Sequence, residues 1–214
     1  MSTDRDRMLA AINAGTARHK PVAPKPAPLV PARGQETGQA LLDLFKRYVG
    51  IASTSLDEVA SDADVPAAVA RYLSSRNLPA KLRLSPDARV AGLPWSSQPL
   101  LEVATGASDG FDEVSVTPAL AGVAETGTLV LHSAAETPST LHFLPDTHIV
   151  VMQASEVVGT YEEALERLRA KTGGRMPRTV NFVTGPSRSA DIGKILLMGA
   201  HGPKRLHIVL VNGQ

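Results

Sequence analysis

Three short segments in the second half of this 214-residue chain combine glycine with titratable or hydroxyl side chains. Gly122-Val123-Ala124-Glu125-Thr126-Gly127-Thr128 stands immediately before an apolar run. Glycines on either side of a carboxylate and a hydroxyl let backbone approach a ligand closely, placing Glu125 and Thr126 at a strand's edge. A β-turn whose glycines serve geometry alone reads the same way. The second segment, Val183-Thr184-Gly185-Pro186-Ser187-Arg188-Ser189-Ala190-Asp191, follows a run that reads as a buried strand, where ligands of open α/β sheets bind. Its backbone N–H groups, serine hydroxyls and guanidinium suit a carboxylate or phosphate, and arginine grips either anion through two parallel hydrogen bonds. A polar loop with Arg188 and Asp191 paired to each other is the plainer alternative. The third segment, Gly199-Ala200-His201-Gly202-Pro203-Lys204, leaves His201 sterically free to exchange a proton near neutral pH, although a tight turn into a last strand uses the same residues. The candidates are therefore His201 and Glu125 for catalysis, with Thr126, Gly127, Gly185, Ser187, Arg188, Ser189 and Asp191 for binding a small carboxylate.

Other chemistries are excluded or disfavoured. The Gly185 segment lacks the glycine spacing and Lys-Ser/Thr pair of a Walker loop, and no G-x-S-x-G nucleophile elbow occurs. His142 and His148 flank Leu144-Pro145-Asp146, but five intervening residues do not match a helical zinc pair, and no metal site is expected. Cysteine is absent, which removes disulfides, thiol nucleophiles and any iron–sulfur cluster bound through this chain's own thiolates. That absence fits a cytoplasmic protein. With 22 basic against 21 acidic residues and 4% aromatics, the chain has neither the charge nor the stacking platforms for nucleic acid. No apolar run approaches the length of a membrane span, and Met1 to Gly15 lacks the continuous apolar stretch of a secretory signal.

The elements that must position these residues follow from periodicity. Asp4 to Ala14 reads as a short helix with Met8, Ala11 and Ile12 on one face. Residues 19–31 carry Pro21, Pro24, Pro26, Pro28 and Pro31, a density that forbids helix and sheet ladders. Residues 1–36 are thus an N-terminal arm, either a mobile tail or a docking element, and residues 37–214 form one domain. Leu41, Leu44, Phe45 and Tyr48 predict a helix from Thr37, and Thr54–Val59 a strand. A further helix is capped by Asp64 and striped by Val65, Val69, Tyr72 and Leu73. Lys81–Leu84 predicts a strand and Gly92–Phe111 loops, in which Trp95 is either a packing lid or a ligand stacker. Val114 and Val116 alternate with polar residues. Thr128–Leu131, Ile149–Met152, Val180–Val183, Ile195–Met198 and Leu206–Val211 are short branched runs of the kind buried on both faces of a sheet. Thr160 and Glu163 form a capping box for a helix ending at Gly173. The alternation of strand and helix makes the fold class α/β, a mostly parallel sheet flanked by helices.

Taken together and in order, Gly122 to Leu131, Leu144-Pro145 with His148 to Val151, Gly185 to Ile192, and Gly199 to Pro203 resemble the LUD domain family, in its lactate utilization protein C type. The likeness covers roughly residues 41–211. It implies a fold similar to the sugar-isomerase and CoA-transferase (NagB/RpiA-like) group, related to formyltetrahydrofolate cyclo-ligase. It also implies a subunit of a system that oxidises L-lactate to pyruvate with iron–sulfur partner proteins, as part of an L-lactate dehydrogenase complex. This chain has no evident electron carrier of its own, and its cofactor is not specified by the sequence. Ser189 stands where the family often has threonine, keeping the hydroxyl. Gly193 stands where an acidic residue is usual, which removes a carboxylate there, and the cyclo-ligase glycine-rich tyrosine motif is not evident. Two other readings stay open: a non-catalytic scaffold or assembly subunit docking through the proline-rich arm, and a stand-alone transferase or ligase of the wider fold.

Overall fold

The computed structural model describes residues 3–18, 30–192 and 195–213. The proline-rich segment 19–29 lies outside them. Helix α1 (Asp4–Arg18) precedes it, and a 3-10 turn (Ala32–Gln35) follows. The main body then runs α2 (Gly38–Ile51), β1 (Ser55–Val59), α3 (Val65–Ser75), β2 (Lys81–Leu84), α4 (Ala88–Ala91), β3 (Glu102–Thr105), β4 (Val114–Pro118), β5 (Ala121–Val123) and β6 (Thr128–His132). It continues with α5 (Thr140–Phe143), β7 (Thr147–Gln153), β8 (Val157–Val158), α6 (Tyr161–Thr172), β9 (Val180–Val183), β10 (Arg188–Ile192), β11 (Ile195–Met198) and β12 (Arg205–Val211).

Six strands form a central sheet in the order β1-β12-β7-β4-β2-β3, and every neighbouring pair is parallel. This is the expected α/β architecture with a mostly parallel sheet. The period-two alternation of a strand sorts its side chains to the two faces. Ile149, Val151, Val209 and Val211 pack with Val65, Val69, Tyr72 and Leu73 of α3. Val150, Met152, Ile208 and Leu210 pack on the opposite face with Phe45 and Val49 of α2 and with Leu129 and Leu131 of β6. Both faces are buried, which is why these runs are continuously apolar.

The second face carries a four-stranded sheet, ordered β8-β5-β6-β9, in which β6 is antiparallel to both neighbours. Its outer face is covered by α6 through Val123, Val130, Ala164 and Leu168. Three of the five branched runs therefore differ from the expectation of buried strands in a parallel sheet. Thr128–Leu131 is buried but antiparallel. Val180–Val183 is the half-exposed edge of the smaller sheet. Ile195–Met198 pairs antiparallel with β10 in a separate hairpin. Apolar runs report burial, whereas partner and direction are settled by the connections.

Two local expectations are also corrected. The Gly92–Phe111 region contains edge strand β3, whose mostly exposed residues carry no apolar alternation to reveal it. Asp64 does not cap α3: its carboxylate accepts from the backbone N–H and hydroxyl of Ser61, closing the preceding turn instead. Trp95 packs into the core beneath α4, its indole N–H donating to the Val90 carbonyl at 2.8 Å. The capping box of α6 forms as read, with Glu163 N–H donating to Thr160 Oγ1 and the Glu163 carboxylate accepting from Thr160 N–H. Gly173 ends that helix at φ +60°.

Candidate functional site

Two of the glycine segments clasp the end of α2. Gly127 sits at φ +67°, and a Cβ there would lie 2.5 Å from the backbone of Tyr48 and Val49. A Cβ on Gly122 would meet Phe45 at 2.7 Å and Met152 at 2.9 Å. Gly185, at φ +86°, faces the Ala52 carbonyl just past α2 with no room for a side chain. The close approach that Gly127 and Gly185 permit is thus between backbones of the chain, while Gly122 leaves room for the Phe45 and Met152 side chains.

The clasp is tied by hydroxyls. Thr128 Oγ1 lies 2.6 Å from Thr184 Oγ1 and 2.7 Å from Thr126 Oγ1, and the Tyr161 hydroxyl is 2.9 Å from both Thr126 and Thr128. In this way the Gly122–Thr128 turn fixes the start of the segment that carries Arg188.

Ser187 then joins that segment to the third one. Its N–H donates to the Pro203 carbonyl, its carbonyl accepts from Gly199 N–H, and its hydroxyl accepts from His201 N–H at 3.2 Å. The result is a cleft of about 270 Å³ that Gly185, Ser187, Arg188 and His201 line together. Arg188 donates from Nη2 to the Ala52 carbonyl at 3.2 Å, and no carboxylate pairs with it among the described residues. Thr126 lines an adjoining cleft of about 380 Å³ on the far side of Arg188. Glu125 is set apart: it is 4% exposed, its N–H donates to the Gly159 carbonyl, and its carboxylate lies beside Gly34. The side chains of Ser189 and Asp191 lie outside the described residues.

The cleft opens at the amino-terminal ends of two central strands. His148 and Leu206, at the starts of β7 and β12, line it, as do His142 and Phe143 from α5. The expectation of a ligand site beyond a buried parallel strand is therefore corrected: β9, which leads into the Arg188 segment, is an antiparallel edge.

His142 and His148 were passed over by spacing rules because α5 and β7, rather than one helix, bring them together. Their rings stack with centroids 5.6 Å apart. His148 Nε2 is 2.7 Å from Thr117 Oγ1, whereas neither nitrogen of His142 has a partner among the described residues. Burial pushes the His142 imidazole down to about 4, with the charge of His132 adding to the effect. Burial, and then His142, holds His148 well below the ordinary histidine range. Both rings are neutral at neutral pH. No group of three or more histidine or acidic side chains among the described residues is arranged to hold a metal ion.

An α/β sheet with a basic, histidine-lined cleft at one edge defines the class. The chain belongs to the LUD domain family, whose model matches residues 39–211. Over 91 residues it is 42% identical to lactate utilization protein C of Geobacillus kaustophilus, covering 42% of this chain and 38% of that one. It is 36% identical over 101 residues to the uncharacterized protein YkgG of Escherichia coli, covering 46% and 44% respectively. The matches thus span less than half the length of these relatives. A DUF162 family protein from Deinococcus radiodurans shares the fold, with a TM-score of 0.62 at 24% identity over 82% of this chain and 99% of that one. No helix among the described residues is long and apolar enough to cross a membrane.

Proposed function

We propose that this chain is the small-carboxylate-binding component of a lactate utilization system, acting with iron–sulfur partner proteins. The observation that carries the reading is Arg188, a guanidinium without a carboxylate partner among the described residues, on a cleft it shares with Ser187 and His201. Lactate and pyruvate each present one carboxylate for the Arg188 fork and the Ser187 hydroxyl. His201 stands beside them as the exposed base nearest to hand for a proton. Glu125, buried beside Gly34, is assigned a structural part rather than a catalytic one in this reading. The name lactate utilization protein C, borne by relatives of 35–42% identity, supports the substrate class.

Oxidising a hydroxy acid to an oxo acid also removes two electrons. A chain without cysteine offers no thiolates for an iron–sulfur cluster, so the electrons pass to a carrier held elsewhere, which is the reason for the iron–sulfur partners. The likeness to the sugar-isomerase and CoA-transferase group, and the division into an arm (1–36) and a binding domain (37–214), belong to the same proposal. The deciding experiment is calorimetry with L-lactate and pyruvate. Arg188→Ala should weaken binding by about 1.5–3 kcal/mol, the worth of a charge-assisted hydrogen bond. Unchanged affinity removes Arg188 from the site.

A scaffold role is the second reading, and helix α1 favours it: Met8, Leu9 and Ile12 are 66%, 48% and 54% exposed on one face. Lactate-dependent dye reduction by the partner proteins, with and without this chain, separates the two. Full activity without it supports the scaffold.

A further inference from the structure

We propose that His142 reads the oxygen on the second carbon of the bound acid, so that the cleft selects 2-hydroxy and 2-oxo acids over plain carboxylates. The inference rests on the carboxylate-binding reading above and deepens it. His142 is 1% exposed, lines the same cleft as Arg188, and has both ring nitrogens unpartnered among the described residues. Buried polar groups in folded proteins are rarely left so, and such exceptions point to a role beyond stability.

The chemistry of the ring fits one ligand feature. Burial keeps His142 neutral, and a neutral imidazole offers one N–H donor and one acceptor lone pair. The donor suits a 2-oxo oxygen and the acceptor suits a 2-hydroxyl proton, so one ring serves both members of a hydroxy/oxo pair. The methylene at the second carbon of a plain acid offers neither. Beneath it, His148 is anchored by the Thr117 hydroxyl and stacks against the ring, holding its plane. Access lies past Phe143, which stands edge-on to His142 with centroids 6.0 Å apart, lines the cleft and is 37% exposed. Contact with the imidazole requires this rim ring to turn outward.

The test is calorimetry on the full chain with pyruvate, L-lactate and propanoate, the last having the carboxylate but no oxygen at the second carbon. The wild type should bind propanoate at least about 10-fold more weakly than either of the others. His142→Leu should bring the three within about two-fold of one another while leaving propanoate affinity nearly unchanged. His142→Gln, which restores a donor and an acceptor, should recover most of the discrimination. Arg188→Ala should weaken all three alike. Equal binding of the three acids by the wild type, or full discrimination by a folded His142→Leu, overturns the role of His142 and leaves the carboxylate site standing. Should neither variant fold, the wild-type ratio decides by itself. A wild type that binds none of the three removes both readings.

Discussion

A buried imidazole that has lost its water must stay neutral to stay buried, and among the described residues His132, His142, His148 and His207 are all buried. His142 and His207 are both pushed down to about 4, chiefly by burial, and His148 is held well below the ordinary range. His207 stacks on Tyr72 and meets Ser55 Oγ at 2.9 Å. Asp57 stands 3.9 Å from its Nε2, yet a neutral ring makes no ion pair with it. An unfolded chain protonates these rings near pH 6.5, whereas folded His142 and His207 take a proton only near 4 and His148 only well below its ordinary range, so as pH falls below 6.5 the unfolded state binds more protons. Their contribution is complete above about pH 6.5 and is lost as pH falls toward 4, on the order of 3 kcal/mol for each of His142 and His207. Urea titrations at pH 7, 5.5 and 4.5 should therefore show a steep fall in unfolding free energy, and a flat profile would mean these rings gain water on this side of unfolding. His142→Leu should be at least as stable as the wild type at pH 7 and less sensitive to acid, because it replaces two unpartnered polar atoms with an apolar group of similar bulk. A loss of several kcal/mol at pH 7 would show that the ring has a hidden partner.

The turn between β5 and β6 depends on a glycine that no side chain can replace. At Gly127 a methyl group would strike the α2 backbone at 2.5 Å while also requiring left-handed backbone. Gly127→Ala should lower stability by about 2–4 kcal/mol, from overpacking and backbone strain together, and should loosen the Thr128–Thr184 contact that fixes the Arg188 segment. Differential scanning calorimetry tests the first effect and pyruvate affinity the second; a melting point within a degree of wild type would sink both. Thr160→Ala, which opens the capping box of α6, should cost about 1 kcal/mol by differential scanning calorimetry. The capping box was legible in sequence because its signal lies within four residues. The contact of Gly127 with α2 was not, since its partner is some eighty positions earlier.

Across the molecule, α3, the parallel sheet, the layer of α2 with the smaller sheet, and α6 stack in that order, with a buried cluster at each junction. Helix α1 stands outside this scheme: no residue from 3 to 15 is buried. Removing residues 1–18 should leave the melting temperature within about 2 °C, because residues 3–15 bury no side chain in the core. If helix α1 docks a partner, the same deletion should abolish co-purification with the iron–sulfur proteins. Retained co-purification assigns docking to residues beyond 18.

Composition and periodicity alone determined the α/β class, the helices α2, α3 and α6, and the strands β7 and β12, because burial on one stripe or two faces is written in residues close together. Zero cysteine likewise settled what this chain cannot bind through thiolates. Strand direction, the second sheet and the clasp around α2 belong to tertiary structure, since each depends on which distant segment supplies the partner. So does the cleft: Ser187 draws His201 toward Arg188 through one hydrogen bond fourteen residues long in sequence, while Glu125 is carried away by its own neighbours. His142 and His148 carried no local signal, and only the packing of α5 on β7 stacked their rings and shut both off from water.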